Sequence, residues 1–312
     1  MKLEALAPRT GQRAGSGEWM RQARASGSVV PAFNIPYLPM VEPVVAALRD
    51  AQCRGFLAVA RLELVKFEAK SMRAVKEEYE RFKDERFTRL HMDHVPVLDE
   101  DGIWIDYEGE IREALELGYD SVMVDGSRLP LEDNIRATRR IVELAGARGI
   151  PVESELGAVL GHSDGPLPSY EELFAGGVGF TDPADAERFV KETGTDWLSV
   201  AAGSIHGAVS AARRDEAKVP ARLDIPRLAS ISQRTGVPLV LHGGSGIPKA
   251  MILESVRHGI AKINIGTAIR QPYERAAGPV AAAQAVYDAV RTVLRHDLDL
   301  SGRSNPNFTA PL

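Results

Sequence analysis

Cysteine is nearly absent. Cys53 is the only one in 312 residues, so no internal disulfide framework can hold the chain, and a reducing, cytoplasmic setting is expected. No apolar run approaches the roughly 20 residues that a membrane-spanning helix needs, so a membrane is not an expected partner. The first residues, with Arg9 and Arg13 set among glycines, hold no apolar segment of a secretory signal. Neither sign of charge is in large excess. Against 43 Asp and Glu stand 38 Lys and Arg, for a net charge of -5, which offers nucleic acid no basic face. Internal repeats and low-complexity tracts are also missing. What remains is 44% hydrophobic and 26% charged, the composition of an ordinary globular chain long enough for a large core.

Eight short apolar or β-branched runs punctuate the sequence, near residues 29–33, 56–60, 88–93, 120–125, 150–155, 196–202, 237–242 and 260–265. Between them lie segments with helical spacing, at 40–51, 66–84, 131–149, 182–194 and 225–236, several closing on glycine. The segment after the second run is long and charged, and an extra helix is expected over 278–296. Eightfold strand–helix alternation predicts an α/β fold, a (β/α)8 TIM barrel. One domain over 1–312 is expected, with loop-like tails at about 1–17 and 301–312. A doubly wound open sheet is the alternative. The glycine-rich dinucleotide loop that would favour it is replaced after the first run by Asn34-Ile-Pro-Tyr37.

Catalytic groups of such barrels stand at the C-terminal ends of the strands. Here those positions are Asn34, Arg61, Asp93 with His94, Asp125, Glu155, His206, His242 and Asn264. Strand ends chosen for packing would rarely be so uniformly polar. His94, His206 and His242 end three different strands, and three neutral imidazoles with one open position make a catalytic zinc-type site. Zn2+, Co2+ or Fe2+ would suit such donors. His91, inside its strand, is read as a supporting or structural residue. Asp125 and Glu155 either orient the histidines or offer an alternative metal position. Asp93 adjoins His94, where a carboxylate can exchange a proton with a substrate hydroxyl. After the seventh run come Gly243, Gly244 and Ser245, and after Asn264 come Gly266 and Thr267. Backbone N–H groups freed by glycine, with two hydroxyls, suit a phosphate, and barrels often bind phosphate at these two loops.

Several segments together resemble the class II, metal-dependent fructose-bisphosphate/tagatose-bisphosphate aldolases. They are Pro31-Ala-Phe-Asn34, Leu90-His-Met-Asp-His94, Ser121-Val-Met-Val-Asp-Gly-Ser127, Glu153-Ser-Glu-Leu-Gly157, Ala202-Gly-Ser-Ile-His-Gly207, Leu239-Val-Leu-His-Gly-Gly-Ser-Gly246 and Lys262-Ile-Asn-Ile-Gly-Thr267. The resemblance spans about residues 18–300 and keeps the family order. It implies a divalent metal, usually zinc, on His94, His206 and His242, and Asp93 handling the hydroxyl proton of the bond being cut. It implies Gly207, Gly243, Ser245 and Thr267 around a phosphate and often a monovalent cation (Na+ or K+), with Asn264 on the ketose. The substrate would be a small-molecule sugar phosphate, and the assembly a homodimer or homotetramer. Competing readings are a metal-dependent isomerase or hydrolase on the same barrel, and a sugar-phosphate binder without activity.

Three departures stand out. The loop glutamate expected after strand five is Ser163, flanked by His162 and Asp164, both able to move protons. The serine expected after strand two is Arg61, which would bind a carboxylate or phosphate, or else pair with Glu63. An insertion, residues 95–107, follows the metal motif and would sit near the mouth. These changes spare the metal and the ketose-phosphate end, so the expected substrate is a ketose phosphate other than fructose 1,6-bisphosphate. Arg303 in the tail is a candidate for reaching a neighbouring subunit's site.

Overall fold

The computed structural model describes residues 15–157, 174, 176–177, 179–204, 222–244 and 247–300. In chain order the elements are α1 (Ser16–Ser26), β1 (Val30–Asn34), α2 (Val41–Ala51), β2 (Gly55–Ala60), α3 (Arg61–Lys66), α4 (Met72–Phe82), β3 (Thr88–Pro96), α5 (Tyr107–Leu117), β4 (Ser121–Asp125), α6 (Leu131–Gly146) and β5 (Val152–Leu156). They continue with α7 (Pro183–Thr193), β6 (Trp197–Val200), α8 (Ile225–Thr235), β7 (Leu239–Leu241), α9 (Lys249–Arg257), β8 (Ile260–Ile265), α10 (Thr267–Arg275) and α11 (Pro279–Thr292). All eight strands are parallel and close on themselves, β1 pairing with β8 through Val30 and Lys262. This is the (β/α)8 barrel that the alternation predicts.

Strand side chains alternate between two environments. One set, including Phe33, Leu57, Leu90, Val122 and Leu241, packs outward against the helices. The other fills the barrel interior, where Val30, Ala32, Phe56, Ala58 and Trp197 form a separate buried cluster. Helix α1 joins that cluster through Trp19, Met20 and Ala23 and so plugs the N-terminal end of the barrel. Trp19 lies 6.0 Å from Phe56, with the Arg89 guanidinium 4.5 Å from its ring. The sequence gives this helix little periodic signal. The segment expected as a loop-like tail to about residue 17 in fact turns helical at Ser16.

The charged segment expected as a helix from 66 to 84 is helical only over Met72–Phe82, with a separate short helix before it. Helix α3 ends at Lys66 with Phe67 extended, and Ser71 caps α4 by accepting from the Ala74 N–H. Between them Glu68 pairs with Tyr37, its N–H bonded to Pro36 O at 3.0 Å. That tertiary pairing overrides local helix propensity.

Two irregularities position inward-facing side chains. Along β3, Met92 pairs with Val122 and Val95 with Val124, so Asp93 and His94 together oppose the single residue Met123. This is a β-bulge, which re-aims a side chain. His94 carries the matching strain, with φ at +35°. Along β8 an extra residue, Ala261, falls between the partners of Leu239 and Val240, and Lys262 and Asn264 contact carboxylates inside the barrel.

Candidate active site

Adjacent residues of a regular strand face opposite ways. The β3 bulge instead lets Asp93 and His94 line one cavity at the C-terminal mouth of the barrel, together with Asn34, Glu63, His242, Gly243, Asn264, Gly266, Thr267 and Arg270. Its volume is about 240 Å³. Asp93 is buried and held by amides on both sides. Asn34 Nδ2 donates to Oδ2 at 2.9 Å, and Asn264 Nδ2 lies 3.1 and 3.0 Å from the two oxygens. Burial alone would raise the Asp93 pKa. The cationic His94 ring, a hydrogen bond with His91 and the Lys262 ammonium instead hold it well below the usual carboxylate range.

His94 Nε2 faces His242 Nδ1 at 2.7 Å. The far nitrogen of each ring is taken by a carboxylate: His94 Nδ1 meets Asp125 Oδ2 at 3.0 Å, and His242 Nε2 meets Glu153 Oε1 at 2.8 Å. Asp125 is itself fixed by Ser127, whose N–H and hydroxyl donate at 3.0 and 2.6 Å. Two imidazoles converging on one point, each braced behind by a carboxylate, form the arrangement that metal-binding histidines require. The ligand atoms of Asp93, His94 and His242 lie within 4.8 Å of one another, so the described donors fit a divalent ion. Asp125 and Glu155 form a further group with His94, Glu155 Oε2 lying 3.8 Å from its ring. That geometry keeps both readings of these carboxylates open, as braces or as a second position.

The electrostatics are those of a site built around a cation. Burial lowers the His94 pKa, but Asp93, the bond with Asp125 and the Glu155 charge outweigh it and push the ring up to about 10. In the metal-free protein a protonated His94 therefore carries the positive charge. Burial raises the Asp125 carboxyl, yet its bond to His94 and that ring's charge bring it far below the usual range. Glu155 moves the other way, pushed up to about 8 by burial and by the Asp125 charge.

A second, wider cavity of about 700 Å³ opens beside the first. His94, Asp125 and Glu155 line it, with Arg61, Lys66, Ser127, Arg128 and the inserted segment from Pro96 to Ile103. The insertion folds back at the mouth, Leu98 bridging Trp104 and Asp99 Oδ1 accepting from the Asp101 and Ile103 N–H groups at 3.0 and 2.8 Å. Lys66 ties α3 to it through Glu100 at 2.7 Å. Arg61 does not pair with Glu63. Its Nε donates to Glu110 Oε1 of α5 at 2.8 Å, while Glu63 Oε2 accepts from the Ala60 N–H at 2.8 Å. Burial and the neighbouring Asp93 charge push Glu63 up to about 8.

Gly243, Gly266 and Thr267 line the inner cavity. At Gly244 a Cβ would come within 2.7 Å of Ile263 Cγ2, so only glycine lets this loop approach β8 closely. His162, Ser163, Asp164, His206, Gly207, Ser245 and Arg303 lie outside the described residues. Sequence reasoning gave no role to Glu153, Lys262 or Arg270, and to Glu63 only a pairing with Arg61. Glu153 had a signal: it stands two residues before Glu155 in a strand, hence on the same face.

A closed eight-stranded barrel with paired histidines and an amide-held carboxylate at its C-terminal mouth is consistent with an aldolase barrel. The sequence profile described as fructose-bisphosphate aldolase class-II matches residues 15–305, and the chain belongs to that family of aldehyde-lyases. It is 32% identical over 286 residues to the 6-phospho-5-dehydro-2-deoxy-D-gluconate aldolase of Halalkalibacterium halodurans, covering 91% of this chain and 85% of that one. To a fructose-bisphosphate aldolase of Staphylococcus epidermidis it is 30% identical, covering 91% and 86%. The crystal structure of the YdjI aldolase of Escherichia coli K12 matches with a TM-score of 0.71 at 26% identity, over 93% of this chain and 98% of that one. Among the described residues no helix is long and apolar enough to cross a membrane.

Proposed function

We propose that the protein is a metal-dependent retro-aldolase. In this reading it cleaves a ketose phosphate other than fructose 1,6-bisphosphate to dihydroxyacetone phosphate and an aldehyde whose far end is anionic. The observation that carries the reaction is the juxtaposition of Asp93, hydrogen-bonded by Asn34 and Asn264, with the converging rings of His94 and His242. His94, His242 and, from the sequence, His206 would hold the ion. A divalent ion there, Zn2+ or else Co2+ or Fe2+, would supply Lewis acidity that stabilises the charge developed on cleavage. Asp93 takes the proton of the hydroxyl on the departing carbon. The bond to the carbon beside the carbonyl then breaks, and its electrons remain on the three-carbon fragment as an enediolate. A proton returned to that carbon completes dihydroxyacetone phosphate, a step assigned to the 160–165 loop with His162 and Asp164 as donors. Asn264 faces the ketose portion. Gly207, Gly243, Gly244, Ser245, Gly266 and Thr267 cradle its phosphate, with a monovalent cation (Na+ or K+) beside it.

The substrate's other end is read from the outer cavity. Arg61 spends Nε on Glu110, and its two terminal nitrogens form the fork that matches a carboxylate or phosphate. A relative named for its action on a phosphorylated gluconate derivative supports a carboxylate there. The test is a panel of ketose 1-phosphates, with neutral, carboxylate and phosphate termini, incubated with zinc-loaded protein. Dihydroxyacetone phosphate released fastest from a carboxylate-ended member is the expected result. Release fastest from fructose 1,6-bisphosphate would overturn the substrate assignment, and release from none would overturn the activity.

A further inference from the structure

Beneath the site lies a charged cluster whose lysine takes no part in the reaction steps proposed above. Lys262 of β8 is completely buried at the barrel centre. Its Nζ donates to Glu153 Oε2 at 2.7 Å and lies 3.9 Å from Asp93 Oδ1. The indole Nε1 of Trp197 donates to the same Glu153 oxygen. His91 Nε2 sits 3.5 Å from both carboxylates, its other nitrogen bonded to Ser121 Oγ at 2.8 Å. Stability does not account for such a pair, since a buried ion pair is often no better than apolar side chains of the same volume.

Its geometry has a directional consequence. An ionised carboxylate only accepts hydrogen bonds. With Oε2 occupied by Lys262 and Trp197, Oε1 is the oxygen turned to His242 Nε2. The hydrogen of the neutral His242 ring then sits on Nε2, and Nδ1 presents its lone pair where it faces His94. We infer that Lys262 is a positioning residue for the metal: by anchoring Glu153 it fixes the tautomer and orientation in which His242 can ligate. Lys262 touches neither ion nor substrate in this role. The inference rests on reading His94 and His242 as metal ligands, and it makes this ring's orientation depend on a lysine of the neighbouring strand β8 acting through Glu153 of β5.

The test combines two measurements on Lys262→Met. The first is a long-range 1H–15N spectrum of 15N-histidine-labelled, metal-free protein, which reports the His242 tautomer. The second is the affinity for Zn2+ alone, by competition with a chromophoric chelator. Wild type is expected to show hydrogen on Nε2. The variant is expected to lose that preference and to bind Zn2+ about 10- to 100-fold more weakly, the usual cost of losing a residue that orients a ligand. A wild-type tautomer and a Zn2+ affinity within about twofold of wild type would overturn the inference. Should Lys262→Met not fold, Trp197→Phe, which removes the other anchor on Oε2, is judged by the same two results. A wild-type protein that binds no Zn2+ would instead overturn the metal reading, which the tautomer measurement does not need.

Discussion

His94 Nε2 and His242 Nδ1 face each other at 2.7 Å, each ring braced from behind by a carboxylate, Asp125 for one and Glu153 for the other. Without metal, one proton must bridge that contact. His94, pushed up to about 10, supplies it.

Metal binding should therefore expel a proton. Between about pH 7 and 9 the incoming ion displaces the proton on His94, so Zn2+ affinity should rise with pH across this range. Calorimetry in buffers of different ionisation enthalpy at pH 8 should report about one proton released per ion. Release of none, with affinity independent of pH, would contradict a protonated His94.

The metal-free protein should lose stability as pH rises. A histidine whose folded pKa is raised from 6.5 to about 10 contributes stability that is complete below 6.5 and is lost as pH climbs through 10. Glu63 and Glu155, raised from 4.5 to about 8, also bind more protons folded than unfolded, so their effect falls between those two values in the same direction. Below pH 6.5 the buried His91 and His242, held below their ordinary range, oppose this trend, so the thermal midpoint of chelator-treated protein should decline from about pH 6.5 to pH 9. Glu155→Gln should flatten the part of the decline below pH 8. A midpoint that rises over this range would contradict these shifts.

Arg61 should govern the far end of the substrate. Arg61→Ser removes charge-assisted hydrogen bonds worth about 1.5–3 kcal/mol, which corresponds to a roughly 10- to 150-fold rise in KM for an anion-ended ketose phosphate. Its Glu110 partner is then left without a cation, so a modest fall in thermal midpoint is also expected. Neutral-ended substrates should be cleaved with KM within about threefold of wild type. Equal losses on both kinds of substrate would place Arg61 in structure rather than recognition.

Much of this was legible in the residues. Strand ends that are polar one after another, from Asn34 to Asn264, reveal the rim because barrel packing has no use for them. The inner charges were not. Lys262 sits within an apolar strand, where a buried charge is identifiable only from its partner, and that partner, Glu153, is 109 positions away. Nor does local sequence encode the β3 bulge, whose evidence is the register against β4. Arg61 was recognisable as a departure, but its partner Glu110 lies 49 residues away on another helix, whereas Glu63 is its near neighbour in sequence. The break between α3 and α4 is likewise tertiary, made by the strand-like pairing of Glu68 with Tyr37.

Asp93 should be separable from the metal. Asp93→Ala leaves the braces on His94 and His242 in place, so the protein should retain its bound zinc. Retro-aldol turnover should fall by about 10²- to 10⁴-fold, the usual worth of a positioned base. Turnover within about tenfold of wild type at full zinc content would assign the hydroxyl proton to another group.

The most direct test of a retro-aldol centre avoids the unknown aldehyde altogether. Zinc-loaded protein is incubated with dihydroxyacetone phosphate in D2O and the hydroxymethyl carbon followed by proton NMR. A centre that stabilises the enediolate must exchange one of those hydrogens for deuterium, and chelation of the metal should abolish the exchange. Binding of dihydroxyacetone phosphate without exchange, at full metal occupancy, would contradict the account.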